Sequence, residues 1–207
     1  MADHVSEPAT ADAAPLQRHS TGPQRSDAAH KAILEAAEAI LVEAGPGRVT
    51  FEAVARRAKA GKPTLYRWWP TKAALLLEIY ERHKDRVIAP PDLGDLRADL
   101  IEFTRLLWAF WRETSGGPAF VALIAEAQTN AETRAELVAH FADDARSPLT
   151  PIFVRAIARG ELPPDSNIRT LRDAVMAVYW YRLITGRLAP EPLAELIARL
   201  LAGLIPR

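Results

Sequence analysis

Gly61-Lys62-Pro63-Thr64-Leu65-Tyr66-Arg67-Trp68-Trp69-Pro70-Thr71-Lys72 holds two helix boundaries in very little chain. Pro63 suits the first turn of a short helix, where its missing N–H costs nothing, and Pro70 stops that helix soon afterwards. Thr71 can then cap a further helix running through Leu75, Leu76, Ile79 and Tyr80 towards Val87. Within the short helix Leu65 should point back to a core, and Trp69 likewise. Lys62, Thr64, Tyr66 and Arg67 then fall on the exposed side: a cation, a hydroxyl, a phenol and a second cation.

Upstream, Ser26 or Asp27 can cap a helix whose apolar positions include Ala29, Ile33, Ala37, Ile40 and Leu41. Gly45, Pro46 and Gly47 end it. Thr50 caps a second short helix, with Phe51, Val54, Ala55 and Ala58 inward and Glu52, Arg56 and Arg57 outward. Lys59-Ala60-Gly61 is too short for a free loop and makes a turn. Short helices joined by tight turns are the ingredients of a helix-turn-helix. The helix opening at Lys62 could enter a DNA major groove, about 12 Å wide, with its first side chains at base edges. Lys72, in the first turn of the next helix, could meet a phosphate. Trp68 has two readings, one along the sugar–phosphate edge and one as a filler between this head and the rest of the chain. Charge agrees with the DNA reading. From Arg25 to Lys72 there are nine basic residues against five acidic ones, although the 207-residue chain balances 26 of each.

The wider composition narrows the classes. The absence of cysteine removes disulfides and thiolate chemistry, and fits a cytoplasmic protein. No apolar run approaches the roughly 20 residues needed to span a membrane, and the N-terminus is not signal-like. Residues 1–24, rich in Ala, Pro, Ser and Thr, are expected to be a disordered tail. Residues 25–72 read as a helix-turn-helix domain, 71–88 as a connecting helix, and 73–207 as a larger helical domain. Beyond Pro90-Pro91 the periodicity places helices at about 93–114, 118–127, 130–159 (with Pro148 and Pro151 at a bend), 168–186 and 190–205. No stretch alternates as a strand would. The expected fold is all-α, with about nine helices.

Phe51-Glu52-Ala53-Val54-Ala55-Arg56-Arg57-Ala58, the Gly61–Lys72 run and Ala73-Ala74-Leu75-Leu76 together resemble the DNA-binding signature of tetracycline-repressor-type (TetR family) regulators. Trp69 stands where Phe is usual, Trp68 where His is frequent, and Lys59-Ala60 where Gly-Val is common. The resemblance implies a repressor that binds double-stranded DNA at a palindromic operator. Thr50, Lys62, Pro63, Thr64, Tyr66, Arg67 and Lys72 would touch DNA. It also implies a body that holds a small-molecule effector and forms a homodimer through its last two helices.

In that body, Phe103, Leu107, Trp108, Trp111, Phe120, Ile124, Phe141, Met176, Tyr179 and Trp180 are candidates to line a ligand pocket, with Thr104, Gln128, His140 or the Tyr179 phenol as polar groups. Each aromatic has the plainer reading of core filler. Leu171, Val175, Val178, Tyr179 and Leu183, then Leu193, Leu196, Ile197, Leu200, Leu201 and Leu204, make the last helices apolar enough to pair with a second chain. An enzyme is disfavoured. The histidines at 4, 19, 30, 83 and 140 have no partner at metal-ligand spacing, and no nucleophile or phosphate-loop motif is present. No catalytic residue, metal or cofactor is assigned. A helical protein-interaction module, or a regulator without a ligand, is the competing reading.

Overall fold

The computed structural model describes residues 23–143, 146–189 and 192–204, and within them it is all-helical, with ten α-helices. The head contains α1 (Pro23–Ala44), α2 (Phe51–Ala58) and α3 (Lys62–Trp68), with a single 3-10 turn at Pro46–Arg48 between the first two. α4 (Lys72–Val87) leads out of it. The body comprises α5 (Leu96–Glu113), α6 (Gly116–Thr129), α7 (Ala131–Ala142), α8 (Leu149–Ala158), α9 (Ile168–Ile184) and α10 (Leu193–Leu204). The tail expected to be disordered lies outside the described residues, except that Pro23 and Gln24 belong to α1. Because α1 starts at Pro23, Ser26 and Asp27 sit inside its first turns and do not cap it.

Caps set most of the other boundaries. Thr50 Oγ1 accepts from Ala53 N–H at 3.2 Å, and Thr71 Oγ1 from Ala74 N–H at 3.0 Å. Asp95 accepts from Ala98 N–H at 2.7 Å, so α5 begins at Leu96, three residues later than periodicity suggests. Asn130 ends α6 and caps α7, accepting from Glu132 N–H at 2.9 Å. The single helix expected over 130–159 is two helices, and this split raises the count to ten. Pro148 and Pro151 are the reason. Neither bends a continuous helix; they flank and enter the first turn of α8, where a missing N–H is tolerated.

The turn between α2 and α3 is closed by Lys59, the one described non-glycine residue with positive φ (φ 52, ψ 38). Gly61 instead is extended and precedes α3. The left-handed cap that glycine usually supplies is here adopted by the backbone of a residue with a Cβ.

One apolar cluster runs through both halves. Ile33, Ala37, Leu41, Val54, Leu65, Leu75 and Leu76 fill the head, and Phe103, Phe110, Trp111, Phe120 and Phe153 fill the body. α4 joins them. Its Tyr80 ring stacks on Phe120 (4.8 Å, 24°) and meets Phe110 edge-on (5.5 Å). α10 packs against α5, and α6 lies along α4. Among the described residues, no helix is long and apolar enough to cross a membrane.

The corner between α5 and α6 depends on Gly117. A Cβ there would lie 2.1 Å from the Trp111 carbonyl oxygen, a backbone atom that cannot swing aside. Gly117→Ala is therefore expected to destabilise the chain by about 1–3 kcal/mol. A thermal or urea melt followed by far-ultraviolet circular dichroism reads this, and an unchanged midpoint would show that the corner relaxes freely.

Candidate nucleic-acid interface and effector cavity

α3 presents the face expected of it. Leu65 is buried, while Lys62, Pro63, Tyr66 and Arg67 are exposed and Thr64 is half-buried. Tyr66 is 51% exposed and stands edge-on to Phe51 of α2 (4.7 Å, 90°). Lys62 Nζ lies 2.6 Å from Glu52 Oε1 of α2. That hydrogen bond holds the Glu52 carboxyl below and the Lys62 ammonium above their ordinary values, although both stay in water. Thr50 is exposed, and with its oxygen accepting the cap bond its hydroxyl proton remains available to a phosphate.

The two tryptophans divide. Trp69 is buried, stacked on the His30 ring of α1 (4.7 Å, 26°), and its indole N–H donates to Glu78 Oε2 at 2.7 Å. Tryptophan in place of the usual Phe thus gains a donor, and Glu78 receives it. Trp68 is 36% exposed, set against His30 (4.7 Å, 66°), with the Arg67 guanidinium 5.7 Å from its ring centroid. It therefore braces α1 and still has an edge in solvent.

The Lys72 ammonium, expected at a phosphate, also faces the body. Nζ lies 3.7 Å from Glu126 Oε2 near the end of α6. Beside it, Thr71 Oγ1 donates to Glu136 of α7 at 3.1 Å. The start of α4 is thus tied by two carboxylates to α6 and α7.

Further along α4, Tyr80 and Lys84 help line a cavity of about 290 Å³ with Phe103 and Leu107 of α5, His140 and Phe141 of α7, Asp143, Arg146, Ser147, Pro148 and Leu149 between and into α8, and Arg172, Asp173, Met176, Ala177 and Trp180 of α9. Six candidate residues meet there: Phe103, Leu107, Phe141, Met176 and Trp180, and His140 from the polar set. Trp108, Trp111, Phe120, Ile124 and Tyr179 do not line it. Phe120 is enclosed by Tyr80, Trp111, Phe141 and Trp180 rings, and Trp108 stands edge-on to Tyr179 with the Arg182 guanidinium 5.4 Å away. Thr104 and Tyr179, proposed as polar pocket groups, spend their hydroxyls on each other: Tyr179 donates to Thr104 Oγ1, which donates to the Leu100 carbonyl. Burial pushes the Tyr179 phenol far above its ordinary range. Gln128 points its amide at its own helix, to the Ile124 carbonyl.

The lining residues that sequence reasoning missed are Tyr80, Ser147, Pro148, Leu149 and Ala177 and the charged Lys84, Asp143, Arg146, Arg172 and Asp173, with Glu81 behind them. A signal existed. Lys84 continues the Leu76–Tyr80 stripe at a spacing of four, and Arg172 precedes Val175, Met176 and Tyr179 on an inward face, so each is a charge on an apolar stripe. Glu81 accepts from Lys84 Nζ at 2.6 Å and sits 3.0 Å from His140 Nε2. Burial alone would raise the Glu81 carboxyl, but the His140 and Lys84 hydrogen bonds and their charges outweigh it and hold it below its ordinary value. No group of three or more potential metal ligands occurs among the described residues.

An exposed, partly cationic helix on a three-helix head, fixed to a helical body with a cavity, defines a helix-turn-helix DNA-binding regulator. Comparison with known proteins agrees. Residues 33–79 match the model of bacterial regulatory proteins of the tetR family, and residues 90–204 match the tetracyclin repressor-like C-terminal domain. The HTH-type transcriptional regulator YdeS of Bacillus subtilis is 31% identical over 80% of this chain and 83% of its own. The DNA-binding transcriptional repressor TetR of Mycobacteroides abscessus is 30% identical over 78% of this chain and 85% of its own. The crystal structure of the TetR family transcription regulator SCO0332 superposes with a TM-score of 0.70 at 30% identity, covering 86% of this chain and 99% of that one. The chain belongs to the tetR family of transcriptional regulators, and such regulators are DNA-binding proteins, not enzymes.

Two outcomes follow from these geometries. Glu126 and a DNA phosphate would compete for the Lys72 ammonium. Glu126→Gln should therefore tighten DNA binding by up to about five-fold, the scale of a part-exposed ion pair. Lys72→Ala should weaken binding for all sequences and lower the salt slope by about one. Filter or anisotropy titrations at several salt concentrations read both, and an unchanged salt slope in Lys72→Ala would remove that residue from the interface. Separately, the stability that Glu81 adds is present above its unfolded value near 4.5 and lost as pH falls through the lower folded value. Glu81→Gln should cost about 1–3 kcal/mol at neutral pH, with the gap to the parent closing in acid. Parallel melts across that range test it.

Proposed function

We propose that this chain is a ligand-responsive transcriptional repressor, acting in the cytoplasm as a homodimer on a palindromic operator. The observation that carries this reading is the reach of α4. Its first residue, Lys72, lies beside the recognition helix, and its Tyr80 and Lys84 form part of the cavity wall. One rigid helix therefore belongs to both sites, about 18 Å apart along its axis at 1.5 Å per residue. A ligand that favours one setting of α4 would bias the placement of the head, provided its affinity differs between the two settings. In this reading residues 25–72 bind DNA, 71–88 connect, and 73–207 bind effector and partner. Thr50, Lys62, Pro63, Thr64, Tyr66, Arg67, Trp68 and Lys72 form the DNA contacts.

Support for the dimer comes from α9 and α10. Leu171, Val175, Tyr179, Leu183, Leu193 and Ile197 are buried within the chain itself, but Tyr181 and Ile184 are exposed and Leu196, Leu200 and Leu201 are only partly covered. Those remaining apolar side chains are what a two-fold, four-helix interface would cover. Repression is supported by the relative from Mycobacteroides abscessus, a DNA-binding transcriptional repressor.

Selection of random duplex DNA against the purified protein tests the reading. An enriched inverted repeat, bound by two chains with a steep salt dependence, is expected. Tyr66→Ala should then lose about 1–3 kcal/mol on that repeat. Absence of any enriched sequence from a folded protein would instead favour a helical interaction module.

A further inference from the structure

A carboxylate stands among the DNA-facing side chains of the head. Glu52 lies in the first turn of α2, two residues after the exposed Thr50 cap, and its Oε1 is 2.6 Å from Nζ of Lys62, the first residue of α3. Both side chains are at least half exposed, so the pair adds little to the stability of the fold. The first helix of a helix-turn-helix crosses the DNA backbone, where a free carboxylate is repelled by phosphates. Held by Lys62, the Glu52 carboxylate instead sits at the first turn of the recognition helix, whose N-terminal side chains lie at base edges. Neither group is saturated by the other. After one hydrogen bond between them the ammonium keeps further N–H donors and the carboxylate further acceptor sites.

The pair therefore offers a donor and an acceptor side by side, and the major-groove edge of a base pair offers their complement. Guanine O6 and cytosine N4 are joined by a base-pair hydrogen bond of about 2.9 Å, close to the 2.6 Å between Lys62 Nζ and Glu52 Oε1. We propose that Glu52 is a specificity-determining residue, and that with Lys62 it reads one C·G base pair in each half-site. Lys62 donates to guanine O6 and N7, and Glu52 accepts from the cytosine N4 amino group. This rests on the operator reading above and supplies one of its base pairs. The alternatives fit worse. A transition to T·A exchanges the amino and carbonyl groups, so the ammonium meets an amine and the carboxylate meets a carbonyl. Reversing the pair to G·C has the same effect. A·T restores the polarity, but its carbonyl is thymine O4, flanked by the C5 methyl and without the second acceptor that guanine N7 provides.

Selection from a random duplex pool, run in parallel with the full-length parent, Glu52→Ala and Lys62→Met, tests this. The parent is expected to enrich C·G at one base-pair position of each half-site, with T·A there at least about ten-fold weaker in anisotropy titrations. Glu52→Ala and Lys62→Met should both cut that preference to less than about three-fold at the same position and leave the other positions intact, which also shows a folded head. Glu52→Gln keeps the shape without the charge, and it should weaken the same preference even if the alanine variant fails to fold. A Glu52→Ala protein that binds every duplex more tightly by one factor would show a carboxylate that only opposes phosphates, and would overturn the proposal. So would a preference for another base pair, a C·G preference untouched by the Glu52 variants, or different positions altered by Glu52→Ala and Lys62→Met. The operator reading is tested apart from this. An enriched inverted repeat without the C·G position removes the base assignment alone. A C·G preference within a single unrepeated site keeps the assignment and removes the palindrome, and no enriched sequence at all removes both.

Discussion

Tyr80 is buried among body rings while Leu75 and Leu76, about one turn earlier on the same helix, are buried with the apolar residues of the head. A helix is stiff over this distance, so α4 cannot serve one core without taking its place in the other. The ring of Tyr80 stacks on Phe120 and meets Phe110, and burial lifts its phenol far above the ordinary value. The orientation of the recognition helix is thereby set by packing some way from it. Trp69 completes the link, with its ring on His30 and its N–H on Glu78 of α4.

Around this apolar axis the seams are polar, and their acceptors are glutamates. Glu78 meets His30 and Trp69, Glu38 meets His83, Glu81 meets His140 and Lys84, Glu126 meets Lys72, and Glu136 meets Thr71. Apart from the largely buried Glu81 group, such contacts across part-exposed seams add little stability each, because water competes for both partners. They are directional, however, and can be exchanged without disturbing the core.

The head was largely legible from sequence because its signals are local. Thr50 and Thr71 are caps within three residues of the N–H they accept from, Pro63 and Pro70 bound α3, and Leu65 and Trp69 alternate against exposed neighbours. The body was less so. Periodicity carried one helix through 130–159 because it does not distinguish a proline that bends a helix from one that starts the next. The aromatic pocket candidates split between cavity and core, since a ring on an inward face has the same spacing in either place. Thr104 and Tyr179 looked like ligand-facing hydroxyls, yet they are separated by most of the body in sequence and satisfy each other in space.

The sequence by itself determined the all-helical class, the helix-turn-helix head and the exposed set on α3, because caps, breakers and amphipathic spacing act between residues a few positions apart. The tertiary structure alone decided that Lys84 and Arg172 face one cavity and that Glu126 reaches Lys72. It also decided that Glu81 balances Lys84 and His140. These are meetings of charges from different helices. A long polar side chain at a helical position reads as solvated unless the packing of other helices closes over it. The stripe positions of Lys84 and Arg172 mark them as inward, but which charges then meet is a sum over many distant contacts that no local pattern encodes.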